Sequence, residues 1–281
     1  MRPRVGIQLY SLRELTAVDF EGALESVAAL GYDGVEFAGL LGNRPAAIRA
    51  VLDRTGLGVA GAHVSLGDLE ERPAETFDEL RALGCPAATV AWLEPERYAD
   101  EATARDTVRR LVAAGERVRA AGFGFAYHNH DFEFGPIVGR AGARDERPID
   151  ERQTDERPTD ERAGAPAEGR AGATTLWSLL TEQPPDALPF EIDVYWVRHA
   201  GLDPAELIHE LGSRVAFIHA KDTAADLAGD CPVGDGIERW PDLLSACRDA
   251  GVPWVIVEQE HAADILADAG TSLRSLRRLL G

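Results

Sequence analysis

Short apolar runs alternate with stretches of helical periodicity along most of the chain. The runs are four to seven residues long and predict strands, whereas apolar residues spaced three and four apart predict helices. The eight predicted strands cover residues 5–11, 34–38, 58–65, 87–93, 122–126, 189–196, 214–221 and 254–260. The predicted helices cover residues 19–30, 45–54, 75–83, 101–121, 174–180, 204–211, 240–250 and 268–280. Glycine follows several of these helices, as at Gly31 and Gly56, which is where helices commonly end.

Eight strand–helix units in about 250 residues have the size and order of a (β/α)8 TIM barrel. We therefore predict an α/β protein with a single domain that spans residues 1–281. A doubly wound open sheet is the alternative architecture. It is disfavoured because no Gly-x-Gly-x-x-Gly turn follows the first predicted strand, where that fold usually binds phosphates.

The segment of residues 140–173, after strand five, differs in composition from the rest of the chain. Asp-Glu-Arg recurs in it at Asp145, Asp150, Asp155 and Asp160, and large apolar side chains are almost absent. Such a segment cannot offset its ordering entropy, so we predict a disordered, low-complexity, acidic insertion. A tolerated loop expansion is the favoured interpretation, and a charged tether that recruits a partner is the alternative.

The formal net charge of −19 restricts the classes of partner. The insertion has nine acids and seven arginines, a net of −2, so the remaining −17 belongs to the barrel. A field of this sign repels nucleic acid and anionic membranes, and we expect neither as a partner. Residues 1–25 contain no membrane-spanning run and no signal-peptide pattern, which favours a cytoplasmic protein.

Four consecutive predicted strands end in pairs of polar residues at positions i and i+2. Because strand side chains alternate between faces, the two members of each pair share a face. The pairs are His128 and His130, Glu191 and Asp193, His219 and Lys221, and Glu258 and Glu260. The carboxyl ends of barrel strands carry active sites, and imidazoles with carboxylates suit Mn²⁺, Mg²⁺, Co²⁺ or Zn²⁺.

Other strand ends supply candidates for contacts with a substrate. Polar and aromatic side chains there could bind sugar hydroxyls and offer an aromatic face. The candidate substrate-binding residues are Tyr10, Glu36, His63, Trp92, Trp196 and Glu260. Gln8 shares a face with Tyr10 but is a weaker candidate. The glycine-rich segment that contains Pro232-Val-Gly-Asp-Gly236 is predicted to close over a ligand.

Five motifs carry a resemblance to a known family. They are Tyr127-His-Asn-His-Asp-Phe-Glu-Phe134, Asp193-Val-Tyr-Trp196, His219-Ala-Lys-Asp222, Pro232-Val-Gly-Asp-Gly236 and Val257-Glu-Gln-Glu260. Through them the chain, apart from the insertion, resembles the xylose isomerase-like sugar phosphate isomerase/epimerase family. The resemblance implies a TIM barrel with one divalent ion, commonly Mn²⁺, held by residues from strands five to eight. Carried over, Asp193, His219 and Glu258 would be three ligands. The fourth would be His128, which stands where many members have glutamate, or alternatively Glu133.

The resemblance also implies a class of reaction. Family members abstract a proton next to a carbonyl, so we expect a metal-dependent isomerase or epimerase acting on a keto-sugar or related polyol. His130, Lys221 and Glu258 are the expected acids and bases. Only one family glutamate, Glu258, matches cleanly, so a metal-dependent lyase or dehydratase acting on a keto-cyclitol or 3-keto-glycoside is the alternative. A non-catalytic sugar-binding barrel is a third hypothesis.

Lys221 is the one lysine in an arginine-rich chain. Its place two residues after His219 puts it on the metal-facing side of strand seven. A partly buried lysine can lower its pKa and exchange a proton, which arginine cannot do. We therefore expect Lys221 to bind a substrate oxygen or transfer a proton. A salt bridge to Asp193 or Glu258 that only balances charge is the alternative.

Overall fold

The computed structural model describes residues 2–137 and 173–281, and in these residues eight parallel strands close into a barrel. The strands are β1 Arg4–Gln8, β2 Gly34–Phe37, β3 Gly58–Val64, β4 Ala87–Val90, β5 Gly124–His128, β6 Phe190–Asp193, β7 Val215–Ala220 and β8 Trp254–Val257. Each strand pairs with its neighbours in chain order, and β1 pairs with β8 to close the ring. The prediction of a (β/α)8 TIM barrel is confirmed.

Helices connect the strands and cover the outside of the barrel. They are α1 Arg13–Val18, α2 Phe20–Leu30, α3 Pro45–Thr55, α4 Leu66–Glu71, α5 Pro73–Leu83, α6 Glu101–Ala120, α7 Leu176–Thr181, α8 Val194–His199, α9 Pro204–Leu211, α10 Trp240–Ala250 and α11 Ile265–Leu280. Among the described residues, no helix is both long enough and apolar enough to span a bilayer.

Aspartate side chains begin several helices. Asp19, Asp100 and Asp264 each accept a hydrogen bond from a backbone amide three residues later, at 2.9, 2.8 and 3.1 Å. These bonds satisfy amides that have no partner inside the helix, which is why aspartate is favoured at this position. At the other end of α2, Gly31 adopts a φ of 97°, a left-handed conformation that favours glycine.

Three alanines and three large apolar residues fill the amino-terminal part of the barrel interior. This inner cluster is separate from the apolar layer between strands and helices, and it consists of Ala60, Ala87, Ala126, Phe217, Trp254 and Ile256. Gly34 makes room for it, since a Cβ at this position would lie 2.8 Å from the Trp254 ring and against the Gly58 carbonyl. The amino-terminal half of the interior is therefore a packed core, and polar groups are left to the carboxyl ends of the strands.

Several element boundaries differ from the predicted ones. The predicted strand of residues 189–196 ends at Asp193, because the Asp193 side chain caps α8, which takes up Val194–His199. Helix α4, which begins at the capping side chain of Ser65, was not predicted from the sequence. Trp196 therefore lies on a helix and not on a strand. The candidate Asp193 is still the last residue of its strand.

The predicted insertion of residues 140–173 lies outside the described residues, apart from Ala173. The described ends on either side of it are paired with each other. Ile137 donates from its amide to the Thr174 carbonyl at 2.9 Å, and Pro136 forms an antiparallel bridge with Thr175. The chain therefore leaves and rejoins the barrel at one point.

Candidate active site

The candidate site lies at the carboxyl ends of the barrel strands. Neighbouring strands place polar residues side by side: His128 pairs with Glu191 across β5 and β6, and Asp193 pairs with His219 across β6 and β7. All four side chains are buried. The parallel register thus gathers residues that are far apart in the sequence at one end of the barrel.

Glu191 lies at the centre of a histidine cluster. Its Oε1 atom is 2.9 Å from His63 Nε2, 3.1 Å from His128 Nδ1 and 3.1 Å from His219 Nε2. Burial works to raise the pKa of this carboxyl, but the surrounding imidazoles, His219 foremost, hold it well below its usual range. Glu191 is therefore ionised and has donors on one oxygen.

Glu36 joins this cluster from β2 and is fully buried. Its Oε2 atom accepts a hydrogen bond from Gln8 Nε2 at 2.9 Å and lies 2.7 Å from His219 Nε2. The other ring nitrogen, His219 Nδ1, lies 2.7 Å from Glu258 Oε2. A carboxylate behind a histidine fixes which nitrogen can face a metal ion. The predicted contact of Glu36 with a substrate stays a prediction. Because Glu36 is fully buried, a role in orienting the His219 ring is favoured.

Two overlapping groups of side chains have the spacing to hold a metal ion. They are His63, His128, Glu191 and His219, and His128, Asp193, His219 and Glu258. Within each group, one ligand atom from every residue lies within 4.8 Å of the others. The second group is the set that the resemblance implies, with His128 at the strand-five position.

Asp193 uses its two oxygens in different ways. Oδ1 caps α8 by accepting hydrogen bonds from the amides of Tyr195 at 2.9 Å and Trp196 at 3.2 Å. Oδ2 is buried and has no hydrogen-bond partner among the described residues. Burial raises the pKa of this carboxyl to about 7, with Lys221 opposing the rise and Glu258 adding to it. A bound cation would satisfy an oxygen of this kind.

The ionisation of the other members of this group also bears on metal binding. Burial lowers the pKa of His128 to about 4, so its imidazole is neutral, as a ligand must be. The pKa of His219 is raised well above its usual value, because Glu191 and Glu258 outweigh the effect of burial. A metal ion that binds His219 must therefore displace a proton.

An aromatic wall, made of Trp92, His130, Phe132 and Trp196, borders the site. The His130 ring centre lies 5.3 Å from that of Trp92 and 5.4 Å from that of Trp196, and Phe132 lies 5.5 Å from Trp92. Trp92 Nε1 and His130 Nδ1 are buried without hydrogen-bond partners in the described part of the chain. Burial lowers the pKa of His130 well below its usual value, so this imidazole is neutral.

Lys221 is buried beside the wall. Its Nζ atom pairs with Glu260 and lies 4.9 Å from the centre of the Tyr195 ring and 5.0 Å from that of Trp196. The expected lowering of its pKa is wrong. Burial does oppose the charged form, but carboxylates, Glu260 foremost, raise the pKa above its usual value. The alternative of a salt bridge to Asp193 or Glu258 also needs correction, since the partner is Glu260.

Two further predicted residues lie around this centre. The Tyr10 ring lies 4.9 Å from the guanidinium of Arg13, which also donates to the Glu260 carbonyl at 2.9 Å, so Tyr10 borders the β8 side of the site. Glu133, the alternative ligand, accepts a hydrogen bond from the Tyr127 hydroxyl at 2.7 Å and another from the His130 amide at 2.8 Å. Both of its oxygens are occupied, and it belongs to neither group above.

The sequence placed Glu191 among the polar strand-end pairs that suit a metal ion, but gave it no specific role as a ligand or catalytic group, and it left Gln8 as a weak candidate. The signal for Glu191 was present, because it precedes Asp193 by two residues on the same face of β6. The bond between Gln8 and Glu36 crosses from β1 to β2, and no sequence pattern indicated it.

Comparison with known proteins gives a likeness of fold. No protein-family model and no curated protein matches the chain. A solved sugar phosphate isomerase/epimerase from Parabacteroides distasonis matches with a TM-score of 0.76 at 21% identity, over 100% of this chain and 96% of the other. An L-ribulose 3-epimerase matches with a TM-score of 0.64 at 13% identity, over 99% and 94%. A probable 3-DHS dehydratase from Bacillus anthracis matches with a TM-score of 0.66 at 13% identity, over 99% of each chain.

At these identities the likeness establishes the architecture. The chain has the (β/α)8 barrel of structures described as sugar phosphate isomerases/epimerases and xylose isomerase domain proteins. The resemblance that the five sequence motifs carry is confirmed at the level of the fold. Fold alone does not fix a reaction, so activity must be argued from the site.

Proposed function

We propose that this protein is a divalent-metal-dependent sugar isomerase or epimerase that abstracts a proton next to the carbonyl of a keto-sugar or related polyol. The observation that carries the proposal is the group of His128, Asp193, His219 and Glu258, with Asp193 Oδ2 buried and unpartnered. The fold likeness to sugar isomerases and epimerases supports the reaction class. Carboxylate and imidazole ligands suit Mn²⁺, our proposed ion, and also Mg²⁺, Co²⁺ or Zn²⁺.

Charge balance favours this group over the one that contains His63. Glu191 also has an unpartnered oxygen, Oε2, but three imidazoles surround its other oxygen and lower its pKa. The pKa of Asp193 is raised instead, chiefly by burial, and Lys221 and His219 oppose this rise only in part. We therefore expect a divalent cation to bind beside Asp193 and not beside Glu191.

The side chains around this group have suitable roles in proton transfer. A divalent cation bound here would supply Lewis-acid polarisation of the substrate carbonyl oxygen. His130 is neutral with an unpartnered Nδ1, and Glu258 is ionised, so each can accept a proton. Lys221, held as an ammonium ion, can donate to a developing oxyanion. Glu36 orients His219 toward the group.

One observation favours a lyase or dehydratase as the second candidate. The site combines a neutral base, His130, with an ammonium acid, Lys221, and after burial the charge of Lys221 is one of the effects that lower the pKa of His130. Removing a proton with one group and protonating a departing hydroxyl with the other is β-elimination. An epimerase needs a base on each face of the sugar, a role that His130 and Glu258 would share.

Solvent deuterium exchange separates these candidates. The protein, loaded with Mn²⁺, is incubated in D₂O with a panel of keto-sugars and inosose, and products are followed by NMR and mass spectrometry. Deuterium at the carbon next to the carbonyl without loss of water indicates an isomerase or epimerase. Loss of water or of an aglycone indicates a lyase. No bound metal and no turnover of any compound would contradict both and favour a sugar-binding barrel.

A further inference from the structure

The loop after β7 contains a carboxylate in an unusual position. Asp222 is fully buried, and its two oxygens accept hydrogen bonds from four backbone amides and one indole. The donors are the amides of Thr223 at 2.9 Å, Glu238 at 3.1 Å, Gly234 at 2.8 Å and Gly236 at 3.3 Å, and Trp240 Nε1 at 2.6 Å. Converging backbone amides of this kind form an anion-binding nest. Here the chain's own carboxylate fills the nest.

A second carboxylate of the loop after β7, Asp230, binds backbone amides of the loop after β8. Asp230 accepts hydrogen bonds from the amides of Glu260 and His261, the latter at 3.0 Å, and lies 3.1 Å from His261 Nδ1. In TIM barrels the loops after strands seven and eight frequently bind the phosphate of a substrate through such amides. Asp222 and Asp230 already accept hydrogen bonds from these amides, so the amides are not free to bind a phosphate.

The cations beside the site are also engaged. Lys221 pairs with Glu260, and Arg198 makes a two-pronged contact with Glu238 at 3.0 and 3.1 Å. Arg13 donates to the carbonyls of Tyr10 and Glu260 at 3.1 and 2.9 Å. A phosphate group would have to displace one of these acceptors. It would also approach carboxylates that repel it, namely Glu191, Asp193, Glu258 and Glu260.

The aromatic wall fits an uncharged ring. Its four members are half-buried, so part of each side chain remains exposed beside the site. Trp92 Nε1 is an unpartnered donor, and His130 Nδ1 is an unpartnered ring nitrogen. Apolar C–H faces of a sugar or cyclitol pack on such rings while hydroxyls satisfy these nitrogens.

We propose that the site takes an uncharged keto-sugar or keto-cyclitol and excludes its phosphorylated counterpart. This inference rests on the proposed function and specifies its substrate class. It follows from the filled amide nests, the engaged cations and the carboxylate-rich mouth together.

Matched substrate pairs test the inference on the Mn²⁺-loaded protein. D-Fructose and D-tagatose are compared with D-fructose 6-phosphate and D-tagatose 6-phosphate, by deuterium exchange for turnover and by titration calorimetry for binding. Inorganic phosphate is titrated separately as the probe for a phosphate subsite. We expect the neutral compounds to exceed their phosphates by at least about 100-fold in kcat/KM, the effect of an unfavourable charge contact. We also expect inorganic phosphate not to bind.

Each other outcome has a defined meaning. Phosphorylated compounds that turn over as well as the neutral ones, or inorganic phosphate that competes with them, would overturn the inference and leave the proposed function standing. If neither set binds or turns over, and the panel of keto-sugars and inosose gives no turnover either, the proposed function itself fails, and this inference falls with it.

Discussion

Asp193→Asn separates two tasks of one side chain. Asparagine keeps an oxygen that can accept from the amides of Tyr195 and Trp196, so the cap of α8 survives. The unpartnered Oδ2 becomes an amide nitrogen, which cannot bind a cation. The substitution therefore removes a proposed metal ligand without removing the contact that begins the helix.

The expected effect on stability follows from the pKa of Asp193. In the metal-free protein this pKa is raised from 3.8 to about 7. The folded state then holds the proton more tightly than the unfolded state, so stability falls as pH rises through this interval. Above this pH interval, the full loss in the free energy of unfolding is on the order of 4 kcal/mol. Asparagine carries no charge, so in EDTA at pH 8.5 the variant should be more stable than the wild type by up to that amount.

Urea unfolding with and without Mn²⁺ measures both consequences. Wild-type protein should gain roughly 2.7 kcal/mol at a Mn²⁺ concentration 100 times the dissociation constant, and Asp193→Asn should gain almost nothing. The advantage of the variant in EDTA should shrink at pH 5, where the wild-type carboxyl is protonated in the folded state.

Asp203→Asn is a matched control for the cap. Asp203 begins α9 by accepting from the amides of Ala205 at 2.9 Å and Glu206 at 3.2 Å, nearly the geometry at Asp193. The Asp203→Asn variant should be stabilised by Mn²⁺ as much as the wild type is. In EDTA at pH 8.5 it should be no more stable than the wild type. If Asp193→Asn is no more stable than the wild type in EDTA at pH 8.5, or keeps the Mn²⁺ gain, the reasoning is refuted.

Three further predictions concern the site and its supports. Lys221→Arg should lower turnover by a factor of roughly 10² to 10⁴ with Mn²⁺ still bound, because a larger guanidinium cannot replace the ammonium between Tyr195, Trp196 and Glu260. Near-full turnover of this variant would show that Lys221 only balances charge. Asp222→Asn should lower the free energy of unfolding by roughly 3 kcal/mol, because an amide nitrogen would then face buried donors. The control Asp226→Asn, at an exposed position, should change the free energy of unfolding by less than about 0.5 kcal/mol. Equal urea midpoints for the two variants would contradict this account. Replacing residues 141–172 with a short Gly-Ser linker should leave folding and turnover nearly unchanged, because the flanking Ile137 and Thr174 are already paired; a large loss of activity would place that segment in the site.

The fold could be predicted because its signals are local. The alternation of apolar runs with helical periodicity depends on residues close in sequence, and it predicted all eight strands. The predicted element boundaries were wrong where a capping side chain began a helix within an apolar run. Val194, Tyr195 and Trp196 continue an apolar run, yet the Asp193 cap starts a helix there. The helix or strand propensity of a residue does not include a capping hydrogen bond between its side chain and a nearby backbone amide.

The candidate metal group was predictable for a similar reason. Strand alternation put the polar pairs that contain Asp193, His219 and Glu258 on the inner face, and barrel geometry brings the ends of these strands together. The choice of these three residues as ligands came from the family resemblance. The partners of these residues were not predictable. Glu36 reaches His219 from β2, across the barrel, and Lys221 pairs with Glu260 and not with the expected carboxylates. Such contacts depend on register and side-chain direction across many strands, which local pattern does not contain.

The position of the metal ion tests the central claim most directly. Crystals grown with MnCl₂, measured at the manganese absorption edge, would show the ion as an anomalous peak. We predict one peak about 2.2 Å from Asp193 Oδ2, bonded also to Glu258, His219 and His128. A peak between His63 and Glu191, or no peak at saturating Mn²⁺, would contradict the claim.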